Sequence, residues 1–237
     1  MPCIVKIGLF ISLTKLLTRK RHWTSPWASV TGELTMFART ERLLLRPGWP
    51  EDAAALATAI GDEGIIRNLA SAPWPYVESD AHSFLSSWAA AALPRFLMVQ
   101  RTAARPRIIG CIGIDPMEDG STELGYWVAR PYWGLGYATE AGRHMIELAR
   151  TLGIQQLSAS HFVDNPASGS VLRKLGFRPT GRTVERSSKG RSAPSPVTEY
   201  ARTVDAPGND GDADDGEALT AMRWPETVRN EWRQLAA

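Results

Sequence analysis

The stretch that decides the fold is residues 123–140, which read Glu123-Leu-Gly-Tyr-Trp-Val-Ala-Arg-Pro-Tyr-Trp-Gly-Leu-Gly-Tyr-Ala-Thr-Glu140. It begins as a short run of aromatic and branched residues, typical of a β-strand. It then passes through Gly134 and Gly136 into a segment with the apolar spacing of a helix. A helix that starts directly after a glycine turn points its free N–H groups and the positive end of its dipole at the turn. The pattern therefore predicts either an anion site suited to a pyrophosphate or a tight connection that binds nothing.

Outward from this stretch, the chain alternates between strand-like and helical periods. The strand-like segments are 41–46, 96–100, 107–114, 122–128, 156–161, 178–186 and 197–203. The helical segments are 50–60, 62–69, 79–92, 137–152 and 166–175. This order predicts an α+β (mixed α/β) domain built around one central sheet.

Composition divides the chain into a core and two flanking segments. Residues 37–204 carry most of the regular patterning and are predicted to form one domain. Residues 1–36 are predicted to be a poorly ordered extension. Their apolar run 4–17 is shorter than the ~20 residues of a membrane span, so we expect no integral membrane segment. An amphipathic surface helix and an extension upstream of a start at Met36 are both open interpretations there. Residues 205–237 are predicted to be an acidic linker and tail.

Charge and cysteine content exclude several classes of protein. The formal net charge is +2 and the basic residues are scattered, which argues against nucleic acid as a partner. The two cysteines, Cys3 and Cys111, lie in no CxxC motif and no Cys/His cluster, so we expect neither a disulfide framework nor a bound metal. Such a chain suits the reducing cytoplasm. The sequence leaves the oligomeric state open.

Four stretches resemble the GNAT superfamily of N-acetyltransferases, most closely the RimJ/RimL-like branch that contains the ribosomal-protein N-terminal acetyltransferases. They are Thr40-Glu-Arg-Leu-Leu-Leu-Arg-Pro47, Glu123-Leu-Gly-Tyr-Trp127, Tyr132-Trp-Gly-Leu-Gly-Tyr-Ala-Thr-Glu140, and Asp164-Asn-Pro-Ala-Ser168 with Leu172-Arg-Lys-Leu-Gly-Phe177. They stand in the family's order and at its usual spacing. The resemblance covers about two thirds of the chain. It implies a splayed central mixed sheet flanked by helices, with acetyl-CoA as co-substrate in the cleft.

The resemblance also assigns a set of residues to acetyl-CoA. They are Trp127, Val128, Trp133, Gly134, Leu135, Gly136, Tyr137, Ala138 and Asn165. It implies that the pantetheine arm pairs with the end of the strand, and that backbone amides of residues 134–138 hold the pyrophosphate. Leu135 stands where the superfamily often has a basic residue, which removes one possible phosphate contact. Asn165 has a second interpretation, as the cap of a helix that begins with Pro166.

Two residues are candidates for acid–base chemistry. Glu123 lies on the predicted strand, on the same face as Gly125 and Trp127, and a carboxylate there could take a proton from an attacking ammonium. Its alternative is a structural carboxylate paired with an arginine. The resemblance places Ser168 near the cofactor sulfur. Since Leu172 replaces the tyrosine that serves many members as general acid, that role passes to Ser168, to water or to no group.

The sequence thus predicts an N-acetyltransferase that transfers acetyl from acetyl-CoA to a primary amine by direct attack on the thioester. The acceptor is a protein N-terminus or a small molecule. Its identity depends on loops around residues 61–78 and 186–197, for which the sequence gives no rule. The tryptophans that are candidates for lining the acceptor cleft are Trp74, Trp88, Trp127 and Trp133. A non-catalytic, regulatory acetyl-CoA-binding module is the alternative.

Overall fold

The computed structural model describes residues 37–101 and 105–204, and within them eight strands form one mixed sheet. Strands β1 to β8 are Ala38–Arg39, Leu43–Arg46, Arg95–Gln100, Arg107–Pro116, Thr122–Val128, Gln156–Phe162, Arg178–Arg186 and Ser195–Thr203. Their order across the sheet is β1-β2-β3-β4-β5-β6-β8-β7. Neighbouring strands are antiparallel except β5 and β6, which are parallel. The predictions for residues 1–36 and 205–237 lie outside the described residues.

The sheet opens between β5 and β6. On its other side, β5 is registered with β4 along its whole length. With β6, the described register consists of the pair Glu123 and Ser158. Beyond this pair the facing strand edges are not joined by a ladder, so the two strands part and leave their backbone groups lining a cleft. This is the splayed sheet that the sequence predicts.

Helices cover both faces of the sheet. Helices α1 to α5 are Ala53–Ile60, Glu63–Ile66, Glu78–Ser86, Tyr137–Thr151 and Pro166–Lys174. Side chains alternate along β5, so Tyr126 packs in the core beneath α4 and α5, while Trp127 packs in the core beneath α1 to α3. Two apolar cores therefore fix the strand that borders the cleft. The predicted α+β class is confirmed.

Some element boundaries differ from the sequence prediction. The strand predicted from residue 41 begins at Leu43 and pairs with β1, whose two residues are too few to show a period. The helix predicted over 62–69 ends at Ile66, because the carbonyls of the following residues bind the loop after β7 rather than a next helical turn. The helix predicted over 79–92 ends at Ser86. In the two described ranges, none of the helices is long and apolar enough to cross a membrane.

Candidate active site

The turn before α4 has an open geometry that fits an anion. Gly134 and Gly136 have φ angles of +76° and +83°, in the left-handed region that favours glycine. A Cβ atom built on Gly134 would meet no described atom within 4 Å, so one side of the turn is clear. Gly136 is the N-cap residue of α4, which starts without a side-chain cap. The first-turn N–H groups and the positive end of a 15-residue helix therefore face this turn.

Arg42 brings a positive charge to the same turn. Its Nη1 donates to the carbonyl oxygen of Leu135 at 2.9 Å, and its Nε donates to Glu140 Oε2 at 2.7 Å. The hydroxyl of Thr40 and the backbone N–H of Arg42 donate to Glu140 Oε1 at 2.5 and 2.8 Å. Burial raises the pKa of Glu140, but these hydrogen bonds outweigh it and hold the pKa below its usual value. We call the Thr40, Arg42 and Glu140 set the Arg42 clamp.

The Arg42 clamp is not predictable from local sequence patterns, because 98 residues separate Arg42 from Glu140. The available signal was that both residues lie inside stretches that carry the family resemblance. The clamp also changes the reading of Leu135. The guanidinium of Arg42, the residue just before β2, lies beside Leu135, the position at which the superfamily often has a basic side chain.

Trp133 links the end of β5 to the glycine turn. Trp127 and Val128, the last residues of β5, are 0% and 1% exposed. The indole N–H of Trp133 donates to the carbonyl oxygen of Val128 at 2.6 Å. The side chains of Tyr137 and Ala138 are buried in the core beneath α4, so a ligand at the turn would meet their backbone rather than their side chains. The strand end and the turn therefore form one fixed frame.

Glu123 lies at the point where β5 and β6 begin to part. Glu123 is 2% exposed, so its carboxylate is buried. Ser160 Oγ donates to Glu123 Oε1 at 2.8 Å, and Arg186 Nη1 lies 3.4 Å from the same oxygen. Arg186 Nη2 also contacts Glu199 Oε1 at 3.1 Å. The arginine pairing that the structural interpretation requires is thus present, at a position that also suits a base for the cleft.

Ser168 lies in the first turns of α5 and is fully buried. Its Oγ is 3.0 Å from the phenol oxygen of Tyr126, and either hydroxyl can be the donor. Pro166 begins α5 as predicted, but the side chain of Asn165 makes no capping hydrogen bond to this helix. Asn165 is thus the N-cap residue of α5, as the capping interpretation has it, but the side-chain hydrogen bond of such a cap is not formed. Asn165 is 0% exposed, so its amide is enclosed by protein.

The two candidate catalytic residues lie on opposite faces of the sheet. Glu123 shares a face of β5 with Trp127, which packs beneath α1 to α3. Ser168 contacts Tyr126, which packs beneath α4 and α5. β5 and β6 separate beyond Glu123, so side chains from both faces of the sheet can border the opening between these strands. A ligand threaded through the cleft would meet both.

Residues 42–178, more than half of the chain, match the family described as the acetyltransferase (GNAT) domain. The chain belongs to the GNAT acetyltransferase family. It is an N-acetyltransferase, and the predicted enzyme class is confirmed.

Relatives of this acetyltransferase agree with that assignment. An uncharacterized N-acetyltransferase from Bacillus licheniformis is 30% identical over 161 residues, which cover 64% of this chain and 88% of that protein. A microcin self-immunity acetyltransferase solved with acetyl-CoA and AMP is 18% identical, with a TM-score of 0.58, and the match covers 69% of this chain and 93% of that one. The ribosomal-protein alpha-N-acetyltransferase RimL, solved with coenzyme A, has the same identity and TM-score, with 72% and 99% covered. At this identity the two structures show a shared fold.

A cavity of about 260 Å³ lies on the α1–α3 face of the acetyltransferase. Residues lining it come from the end of α1 through Ile60, from the segments 69–76 and 80–84, from β5 through Trp127, and from the loop after β7 through Lys189. Of the tryptophans that were candidates for an acceptor cleft, Trp127 lines this cavity, whereas Trp74 is 46% exposed. The cavity therefore brings together the two loops on which acceptor choice was expected to depend.

Within the part of the chain that the structure describes, the other polar groups suggest no separate chemistry. In residues 37–101 and 105–204, no cluster of His, Cys, Asp and Glu side chains could hold a metal ion. Burial raises the pKa of the Cys111 thiol, which lies in the core beneath α1 to α3 and is unsuited to act as a nucleophile. His161 Nδ1 donates to the carbonyl oxygen of Phe162 at 2.8 Å, its Nε2 lies 3.3 Å from the Tyr200 hydroxyl, and burial lowers its pKa.

Proposed function

We propose that this enzyme transfers the acetyl group of acetyl-CoA to a primary amine, on a protein N-terminus or a small molecule, in the cytoplasm. One observation carries the proposal. The described register of β5 with β6 ends at the buried Glu123, and β5 leads into the open glycine turn, from which we infer that the carboxylate and the turn border one cleft. Acetyl-CoA would supply a thioester that the amine attacks directly. The complexes of two relatives with acetyl-CoA and coenzyme A support this choice of co-substrate.

The glycine turn would bind the pyrophosphate through backbone N–H groups of residues 134–138. Side chains on this segment do not obstruct the approach, because both glycines have positive φ and the Leu135 side chain is 53% exposed. A negative Glu140 one turn away would repel phosphates, but its charge is compensated by Arg42. The pantetheine arm would then follow the unpaired edge of β5 toward Trp127, and the enclosed amide of Asn165 would lie on the opposite wall.

Acid–base chemistry would be divided between the two faces of the sheet. Glu123 would take a proton from the acceptor ammonium, directly or through water, and so create the nucleophile. Ser168 would donate a hydrogen bond to the departing sulfur. Tyr126 would act on Ser168 rather than on the substrate: by donating to Ser168 Oγ, it would leave the serine proton directed at the cleft. No proton needs to leave Tyr126.

We expect Ser168→Ala to lower turnover by about tenfold, because a thiolate is a tolerable leaving group without this donor. Tyr126→Phe, which removes only the hydroxyl, should lower turnover by about threefold to tenfold and leave the KM for acetyl-CoA unchanged. The double variant should be no slower than Ser168→Ala, since Tyr126 acts through Ser168. Steady-state kinetics of the three variants check this. Independent, multiplying effects of the two substitutions would show that Tyr126 has a separate role.

We expect Arg42→Gln to weaken acetyl-CoA binding about fivefold, because one partly exposed charge contributes on the order of 1 kcal/mol. The loss should shrink as salt is added, since the phosphate charges are then screened. Arg46→Gln is the matched control: Arg46 is the last residue of β2, four residues after Arg42, and binds its own carboxylate, Asp52, at 2.7 Å. Calorimetric titration at low and high salt measures both. Equal losses in the two variants would mean that Arg42 is structural.

Release of free thiol from acetyl-CoA, followed across a panel of peptides and small amines, tests the proposed function. At least one primary amine should be acetylated at a rate well above hydrolysis, and mass spectrometry should find the acetyl group on nitrogen. Folded protein that binds acetyl-CoA but acetylates no amine in the panel would contradict the transfer reaction proposed here.

A further inference from the structure

We propose that the cavity beside Trp127 binds an apolar or aromatic group carried by the acceptor amine. The proposal rests on the proposed function, because it names the acceptor class of the same site. Its first support is the lining: most of the wall is apolar or aromatic side chain, namely Ile60, Leu69, Pro73, Tyr76, Phe84 and Trp127. An apolar group transferred from water to such a wall gains free energy in proportion to the area that it buries.

The two charged residues of the lining, Asp80 and Lys189, do not change the apolar character of the cavity. The carboxylate of Asp80 accepts the backbone N–H of Val77 at 2.9 Å, at the start of α3. Lys189 is exposed and carries the opposite charge to Asp80. The two charges balance at the rim, so the cavity offers no net charge for a strongly ionic acceptor group. Burial also raises the pKa of the Tyr76 hydroxyl, which therefore stays neutral.

The size of the cavity limits its occupant. Ligand pockets commonly measure ~300–1,000 Å³, and this one measures about 260 Å³. One wall is closed by a bridge between residues 187–191 and 67–70. In this bridge Lys189 N donates to Ala70 O at 3.1 Å, and Ser188 Oγ donates to Leu69 O at 2.5 Å. The space suits one side chain or one small amine, rather than a loop of folded protein.

Arg191 fixes the bridge by contacting Arg67, which follows α2, and Asp164, which follows β6. Arg191 Nε donates to Arg67 O at 2.7 Å. Its Nη1 and Nη2 contact both carboxylate oxygens of Asp164, the residue before the Asn165 helix start, at 2.9 and 2.7 Å. The Arg191 guanidinium also stacks 4.0 Å from the Phe162 ring. The cavity wall is therefore a built part of the cleft and not a loosely attached loop.

The cavity is also placed correctly for the chemistry. Trp127 and Glu123 lie on the same face of β5, four residues and about 13 Å apart at ~3.3 Å per residue. The residue between them on that face is Gly125, so no side chain of β5 separates them. This span is longer than a small amine, so an acceptor whose apolar group lies beside Trp127 would pass its ammonium proton to Glu123 through water along this face of β5.

The test uses three amine probes, glycinamide, leucinamide and phenylalaninamide, with the full chain and acetyl-CoA. For the unmodified enzyme, kcat/KM for the two apolar probes should exceed that for glycinamide at least tenfold. Ala72→Trp, which fills the cavity from its lining, should reduce that ratio at least tenfold. Ala54→Trp is the control, because Ala54 is exposed on α1 and does not line the cavity. It should leave the ratio unchanged.

Direct binding of the probes, measured by calorimetry with coenzyme A present, separates this inference from the proposed function. Tighter binding of phenylalaninamide than of glycinamide, without acetyl transfer to any amine, would overturn the proposed function and support the cavity. Equal binding and equal kcat/KM for all probes would overturn the cavity proposal. If Ala72→Trp fails to fold, Phe84→Ala replaces it. This variant removes an aromatic wall and should also lower the apolar preference, and an unchanged preference would overturn the proposal.

Discussion

Gly136→Val is expected to abolish measurable acetyl-CoA binding and to leave a folded protein. Gly136 has φ +83° and ψ 0°, so a β-branched residue there is strained by about 1–2 kcal/mol or more. A domain stable by ~5–15 kcal/mol tolerates that strain. The added side chain would stand at the N-cap of α4, where the backbone amides are proposed to hold the pyrophosphate, and would keep phosphates from approaching. Calorimetric titration with acetyl-CoA and a thermal melt measure both effects.

Gly120→Val separates strain from loss of the site. Gly120 has the same φ angle, +83°, in the turn between β4 and β5, and a Cβ atom there would meet no described atom within 4 Å. Both variants should lose a similar amount of stability, but Gly120→Val should bind acetyl-CoA as the unmodified chain does. Wild-type affinity in a folded Gly136→Val protein would show that the glycine turn is not the cofactor site.

The strand–turn–helix unit was predictable because all of its signals are local. Aromatic and branched residues define β5, the change to a helical period defines α4, and the positive φ angles fall on the two glycines of the turn. β1 was missed for the opposite reason, since its two residues carry no period and exist as a strand only by pairing with β2. Sequence patterning thus predicts an element when the residues that define the element lie within it.

Site contacts between distant residues were not predictable in this way. The Arg42 clamp joins the turn between β1 and β2 to α4 across 98 residues, and Arg186 reaches Glu123 across 63. Such pairs depend on the order and register of the strands, which no local pattern specifies. The failed cap of Asn165 has a related cause. Capping propensity is a local rule, whereas the direction of this fully buried side chain depends on the tertiary packing around it.

The pairing of Tyr126 with Ser168 gives a physical account of Leu172, the residue that replaces the family's frequent tyrosine. Leu172 is fully buried in the core beneath α4 and α5, so no hydroxyl reaches the cleft from that position. A phenol does reach Ser168, but from the neighbouring strand β5, 42 residues earlier in the chain. The sequence left serine, water or no group as the donor. The contact between Tyr126 and Ser168 makes the serine the first of these three possible donors to test.

Glu123→Gln is expected to lower turnover by ~10²-fold or more at neutral pH and to leave acetyl-CoA affinity nearly unchanged. An acceptor amine is mostly protonated near pH 7, so a base must remove a proton before attack. The amide keeps the size of the side chain and can still accept from Ser160, but it cannot take the proton. The deficit should shrink as pH rises, because more of the amine is then deprotonated in solution. Rates of thiol release between pH 6 and pH 9 measure this.

The competing explanation is that Glu123 serves only to pair Arg186, and Glu199→Gln distinguishes the two. Glu199 contacts the same guanidinium at 3.1 Å, against 3.4 Å for Glu123, so the same substitution removes a partner of Arg186 in both variants. Glu199 lies on β8, away from the edge at which β5 and β6 part. If Glu123 is the base, Glu199→Gln should retain most of the turnover, and its residual loss should not depend on pH. Equal, pH-independent losses in both variants would make Glu123 a structural carboxylate, and the proton would then leave through water.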